Sequence, residues 1–281
     1  MVNLNFIPEL YKEGKRAADK KLVPYVIIAI VLLIIGILIL VFTKTELNQE
    51  NLQYIGLLPL GVIGYFSYRI YTHAQKKFWE LFVSKNNGVI AFEEDTGINK
   101  ALMYRQGYTQ KVSDIYLFEN EKDRLLLFNY TFQKRKPFQK NPSQFSYVVF
   151  DLPYKGSVPH MYLNYRHDRY SIEAGDKLSL PSEFDKKFAL YTPDKYEIEA
   201  LQVFTPDVLA LILDLGIAMD IEVLEGHVLF FVEQGSFIYK FDKHLEVLKN
   251  QYNAVVKLME KIKPELDRFS FEKIGDKPAF M

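Results

Sequence analysis

The residues able to do chemistry are few in kind and widely scattered. The chain has 281 residues with five histidines and no cysteine. The histidines stand at 73, 160, 167, 227 and 244, and none falls into HExxH or another close ligand pair. Without thiolates or paired imidazoles, zinc has no evident ligand set. The nearest approach to a cluster is His160, His167 and Asp168. At strand spacing His160 and His167 point to opposite faces, so both read as surface residues. Asp207 and Asp214 share one predicted helix, where an end-cap and a solvated charge explain them better than an acid–base pair. No P-loop, GxGxxG or GxSxG pattern occurs. The sequence therefore assigns no catalytic residue, no cofactor-binding residue and no metal ligand, and implies no cofactor.

Charge excludes another class. There are 35 basic and 35 acidic side chains, so no net field draws nucleic acid. One basic run, 134–140 (KRKPFQK), has the composition to meet anionic headgroups, each cation being worth about 1 kcal/mol near such a surface. A solvated loop is the simpler reading of it.

The elements that must position these groups begin with two apolar runs. Residues 22–42 (LVPYVIIAIVLLIIGILILVF) carry no charge. As a helix they reach roughly 31 Å, close to the hydrocarbon thickness of about 30 Å. Residues 52–71 (LQYIGLLPLGVIGYFSYRIY) are apolar too, but contain Gly56, Pro59, Gly61, Gly64 and Arg69. Glycine and proline are tolerated in membrane helices, where water does not compete for the backbone. A transmembrane helical hairpin over 22–71 is expected, with the lipid bilayer as its first partner. A re-entrant or interfacial segment is the competing reading of 52–71.

Basic residues set the expected orientation. Lys12, Lys15, Arg16, Lys20 and Lys21 precede the first run, and Arg69, Lys76, Lys77 and Lys85 follow or end the second. The connection between them has only Lys44, with Glu46 and Glu50. Positive charge is retained inside, so both termini are expected in the cytoplasm and the chain in the inner (plasma) membrane as a multi-pass protein. The layout is then a cytoplasmic N-terminal segment 1–21, the hairpin 22–71 with spans 22–42 and 52–71, and a cytoplasmic α+β domain 72–281. No charged residue interrupts the first span, which argues against a channel or transporter acting alone.

Within 72–281, a helix over 73–86 places Phe78, Trp79, Phe82 and Val83 on one stripe. Short aromatic or β-branched runs at 89–92, 115–118, 125–132, 145–152, 160–165 and 188–191 read as strands. The continuous apolar stretches in 125–132 and 145–152 suggest central strands covered on both faces. Residues 199–204 also read as a strand. Thr205-Pro206-Asp207 opens a helix that ends at Gly216, with Thr205 as cap and Pro206 at the first helical position. Residues 221–224 and 227–232 flank Glu225-Gly226, a hairpin turn. Residues 242–269 form the last helix, expected to bend or end near Lys263 because of Pro264. Its seam of Leu245, Leu248, Tyr252, Val255, Met259, Ile262 and Leu266 alternates by three and four. Docking on the domain's own sheet is the reading preferred; an oligomer through 242–269 is the alternative. The fold class is α+β: the hairpin, then a mixed, mostly antiparallel sheet with a long C-terminal helix.

Residues 181–213 carry Phe184-Asp185-Lys186-Lys187-Phe188, Tyr191, Glu199-Ala200 and the Thr205-Pro206 helix start, with Leu209 and Leu213 behind it. This stretch resembles the bacterial two-pass membrane proteins carrying domain of unknown function 3137. The resemblance covers about an eighth of the chain and implies architecture alone, since the family has no assigned activity. The functional expectation is a two-pass membrane protein whose cytoplasmic domain is a binding or scaffolding module for another membrane or cytoplasmic protein. A membrane-tethered enzyme acting on a lipid or peptide, and an accessory subunit of a transport or secretion complex, are the alternatives.

Overall fold

The protein was analysed as a computed structural model, which describes residues 7–43, 64–65, 68–69, 72–74, 76–119, 124–134, 143–156, 158–166, 176–233 and 241–268. It divides into two units at the step from Asn86 to Asn87.

The first unit is helical. Helix α1 is continuous over Ile7–Thr43, 37 residues. The charged stretch expected as a separate N-terminal segment is thus helical as well. Its Glu, Lys, Arg and Ala residues are strong helix formers, and extending an existing helix costs little once it is nucleated. Helix α2 is described at 72–74 and 76–85. The two helices meet at Gly14, where a Cβ would lie 3.1 Å from the Ala74 carbonyl oxygen and 3.7 Å from the Phe78 Cβ. Around that approach Leu10, Phe78, Phe82 and Val83 are buried. The rings of Phe78 and Phe82 stack at 5.8 Å, and Trp79 meets both edge-on.

The hairpin expectation is overturned. Among the described residues no helix is long and apolar enough to cross a membrane. The run 22–42 is no separate element but the second part of α1. The second run, 52–71, lies outside the described residues except at 64–65 and 68–69.

Among the described residues the second unit is built on one nine-stranded sheet in the order β1-β2-β3-β4-β9-β8-β5-β7-β6. Its strands are β1 (Val89–Ile90), β2 (Tyr108–Glu119), β3 (Arg124–Lys134), β4 (Ser143–Pro153), β5 (Met161–Tyr165), β6 (Asp176–Lys177), β7 (Phe188–Thr192), β8 (Asp220–Leu224) and β9 (His227–Glu233). Every pairing is antiparallel, which corrects the expected mixed sheet. A short hairpin turn joins β8 to β9, and such a turn can only reverse the chain. Gly226 supplies φ 76 at that turn, between the paired Leu224 and His227.

Because side chains alternate along a strand, the sheet has two buried faces. One carries an aromatic layer: Phe132 stacks on Phe145 at 5.2 Å, with Tyr130, Tyr147 and Phe231 around them. The other face carries Val148, Phe150, Val228 and Phe230. Phe150 meets Tyr252 of the last helix, ring to ring at 6.4 Å. Strand β4 is thus covered on both sides, as is the first part of β3, and each carries an unbroken apolar run there, 147–150 and 125–128.

Among the described residues four helices accompany the sheet: α3 (Ser182–Asp185), α4 (Glu197–Val203), α5 (Pro206–Leu215) and α6 (Phe241–Arg268). Helix α5 is capped as its sequence dictates. The Thr205 side chain accepts from Val208 N–H, Pro206 opens the first turn, and Gly216 closes the helix in the left-handed region at φ 60. Helix α4 replaces the strand expected over 199–204. Acidic residues occupy its first turn, and Ala200 and Val203 are buried three apart, a helical and not an alternating pattern. In α6, Leu248, Tyr252, Val255, Met259, Ile262 and Leu266 are all buried. The helix runs through Pro264 to Arg268 and does not stop at Lys263. Pro264 and Glu260 are both exposed, so water can take the carbonyl whose N–H partner the proline lacks.

Candidate functional site

The sheet's register sets up one unusual row. Asp151 on β4 pairs with Leu229 on β9, Leu229 pairs with Glu222 on β8, and Glu222 pairs with Tyr162 on β5. Direct cross-strand partners point to the same face, so two carboxylates lie on the aromatic face with one leucine between them. Asp220, two residues before Glu222, joins them on that face. Asp151, Asp220 and Glu222 are all buried. Ionised carboxylates are found at such depth only where charges and hydrogen bonds compensate them.

Each carboxylate is in fact spent. Asp151 Oδ1 lies 2.8 Å from Nδ1 of His227, and its Oδ2 accepts from Gly97 N–H at 2.9 Å. Glu222 Oε1 lies 2.6 Å from Nε2 of His160 and accepts from Leu102 N–H, while Oε2 faces Met103 N–H at 3.5 Å. Asp220 Oδ1 accepts from Tyr165 N–H at 2.6 Å, and its Oδ2 accepts from the Tyr162 hydroxyl at 2.9 Å. Asn164 donates towards both Asp220 and the Tyr162 hydroxyl. Burial, and then the Asp220 charge, hold the Tyr162 phenol well above its ordinary pKa.

Gly97, Leu102 and Met103 belong to a stretch of three 3-10 turns, Glu93–Asp95, Ile98–Lys100 and Met103–Arg105. The stretch lies on the aromatic face, where Ile98, Ala101, Leu102 and Met103 are buried against Leu126, Tyr130 and Leu229. Tyr130 adds a third tie, donating from its hydroxyl to the Met103 carbonyl at 3.0 Å. Within the stretch Tyr104 donates to Glu93, and that bond, ahead of burial, raises the Tyr104 pKa. The polar row does not converge on an open cleft. It fastens an irregular cover onto the sheet.

The singled-out histidines therefore separate. His160 is buried and paired with Glu222, not on the surface as expected. His167 and Asp168 lie outside the described residues, as does the basic run beyond Lys134. Burial lowers the pKa of Lys134 itself. His227, not grouped with anything in the sequence, pairs with Asp151. Asp207 stands in the first turn of α5 and Asp214 is exposed near its end, so neither faces an acid–base partner. Among the described residues no cluster of three or more His, Asp or Glu side chains could hold a metal. Sequence reasoning missed Asp151, Asp220 and Glu222. The available signal was an acidic residue inside an otherwise apolar strand run, FSYVVFDL and DIEVL, where a charge is costly unless it is used.

No protein-family model matches the chain, and no curated protein matches it. Among solved structures, the crystal structure of the mycobacterial trehalose monomycolate transport factor A, TtfA, aligns with a TM-score of 0.46 at 8% identity. The alignment covers 68% of this chain and 93% of that one. A likeness at that level leaves this chain's function to be argued from its own residues.

Proposed function

We propose that the chain is a binding or scaffolding module that associates with a lipid bilayer through α1. The observation that carries this reading is the exposed apolar surface of α1: Val23, Ile27, Ile30 and Ile34 are each at least half exposed. Apolar surface of that extent on a folded chain marks an interaction site. Exposed Lys12, Lys15, Arg16 and Lys20 on the same helix suit anionic headgroups. The sheet unit supports binding over catalysis, because its buried carboxylates are consumed by the fold's own N–H groups and histidines. Its edge strand β1 also displays apolar side chains, with Ile90 77% exposed and Phe92 just beyond it 72% exposed. A short apolar edge of this kind suits an added strand or an apolar partner surface. An accessory subunit of a transport or secretion complex is one such module.

Liposome flotation tests the reading. The full chain should float with vesicles containing anionic lipid, and replacing Ile27, Ile30 and Ile34 together by Ser should leave it at the bottom of the gradient. A parent chain that stays at the bottom, or a variant that floats as well as the parent, would overturn it.

A further inference from the structure

The stretch 92–106 is held differently from the strands around it. Its N–H groups at Asp95, Thr96, Lys100, Ala101, Arg105 and Gln106 each donate to the carbonyl three residues back, so these bonds are internal to the stretch. Its ties to the sheet described above run through side chains reaching up from below: Asp151 to Gly97, Glu222 to Leu102 and Met103, and Tyr130 to Met103. The buried Ile98, Ala101, Leu102 and Met103 add apolar contact, but a segment that carries its own local bonds and no ladder bonds can open as one unit without melting the ladder beneath it. The seat is also shaped for this segment. A Cβ on Gly97 would lie 2.7 Å from Cγ of His227, closer than packed atoms approach, so the backbone there rests directly on the imidazole.

We propose that 92–106 is a strap that lifts and reseats as one unit while the sheet stays folded, with the carboxylates of Asp151 and Glu222 as its two latches. His160 and His227 hold each carboxylate in position to receive the strap, and the His227 ring also forms part of the seat beneath Gly97. The strap is the chain between β1 and β2. Its release frees a contour of roughly 50 Å between β1 and β2, at about 3.3–3.6 Å per residue. Seated, the same residues shield the Tyr130 and Leu126 side of the aromatic face. The device is thus a movable loop whose open form uncovers apolar surface. It stands independently of the bilayer reading.

Hydrogen exchange with mass spectrometry on the full chain tests the strap. In the parent protein, amides in 95–106 should exchange at least tenfold faster than those in the centres of β3 and β4. Glu222→Gln leaves one acceptor oxygen where two served, and should speed the strap amides a further tenfold or more while β3 and β4 keep their rates. Gly97→Ala provides a second route that removes no charge. Its φ of −78 and ψ of −1 suit alanine, so only the collision with His227 opposes seating. It should produce the same selective acceleration, and it carries the comparison alone if Glu222→Gln does not fold. Strap and strand amides exchanging together in the parent, or rising together in the variants, would overturn the proposal.

Discussion

Asp151 and Glu222 face each other across Leu229 in a single row of the sheet, and each meets a histidine on one side and a backbone N–H of the same irregular stretch on the other. The sequence separates them by 71 positions, and only the β4-β9-β8 order makes them neighbours in this sense. The arrangement orders the energetics of the unit, because removing one member strands the other in a dry interior.

The two histidine pairs should not be equally costly to break. Glu222 is fully buried and His160 nearly so, whereas the His227 side chain is 24% exposed. Truncating one partner of a buried pair costs about 3–5 kcal/mol, since the remaining charge is left uncompensated. His160→Ala should fall in that range. His227→Ala should cost clearly less, because water can reach Asp151 once the ring is gone. Urea denaturation of the full chain followed by circular dichroism checks the order; equal midpoints for the two variants would contradict it.

Alkaline stability should depend on Tyr162. Its phenol is held well above the ordinary value of 10.0 by burial and by Asp220. A raised folded-state pKa means that the native chain keeps a proton which the unfolded chain releases from about pH 10 upward. The stabilisation is complete below pH 10 and is lost as pH climbs through the folded-state value. Tyr162→Phe removes the titration along with the hydroxyl's bond to Asp220. The variant should be less stable at neutral pH, by about 1 kcal/mol or more, yet lose stability less steeply above pH 10. Parallel stability curves for parent and variant between pH 9 and 11 would rule this out.

Helix α6 should behave as part of the core. Leu258 is completely buried, and Leu248 sits at the margin with 9% exposure. Leucine-to-alanine truncations cost about 2–5 kcal/mol, more where the site cannot collapse. Leu258→Ala should lie near the upper end and Leu248→Ala near the lower. Both effects should be independent of protein concentration. Melts of Leu258→Ala that shift with concentration would assign the seam to an interface between copies.

The Thr205 cap predicts a smaller effect. Its hydroxyl accepts from Val208 N–H at 3.4 Å, a long bond, so Thr205→Ala should cost about 0.5–1 kcal/mol, the lower part of the usual capping range. Thr205→Ser keeps the oxygen and should restore most of that loss. A serine variant no more stable than the alanine one would show that the methyl group, and not the cap, is what matters.

Local patterns in the sequence carried several elements correctly. The Thr205-Pro206 start, the Gly216 stop and the Glu225-Gly226 turn each rest on backbone preferences of one to three residues, so nearby sequence suffices to read them. The apolar runs 125–128 in β3 and 147–150 in β4 likewise announce burial on both faces. The misreadings came where local signals competed. In 197–203, β-rich spacing disguised a helix whose acidic first turn and buried Ala200 and Val203 decide the matter. The apolar run 22–42 gave no sign that the charged residues before it continue the same helix. Nothing in the order of the chain says that His160 meets Glu222, that His227 meets Asp151, or that both carboxylates hold 92–106. Those contacts depend on which strands lie side by side and in what register, and a one-residue slip would turn every one of these side chains to the opposite face.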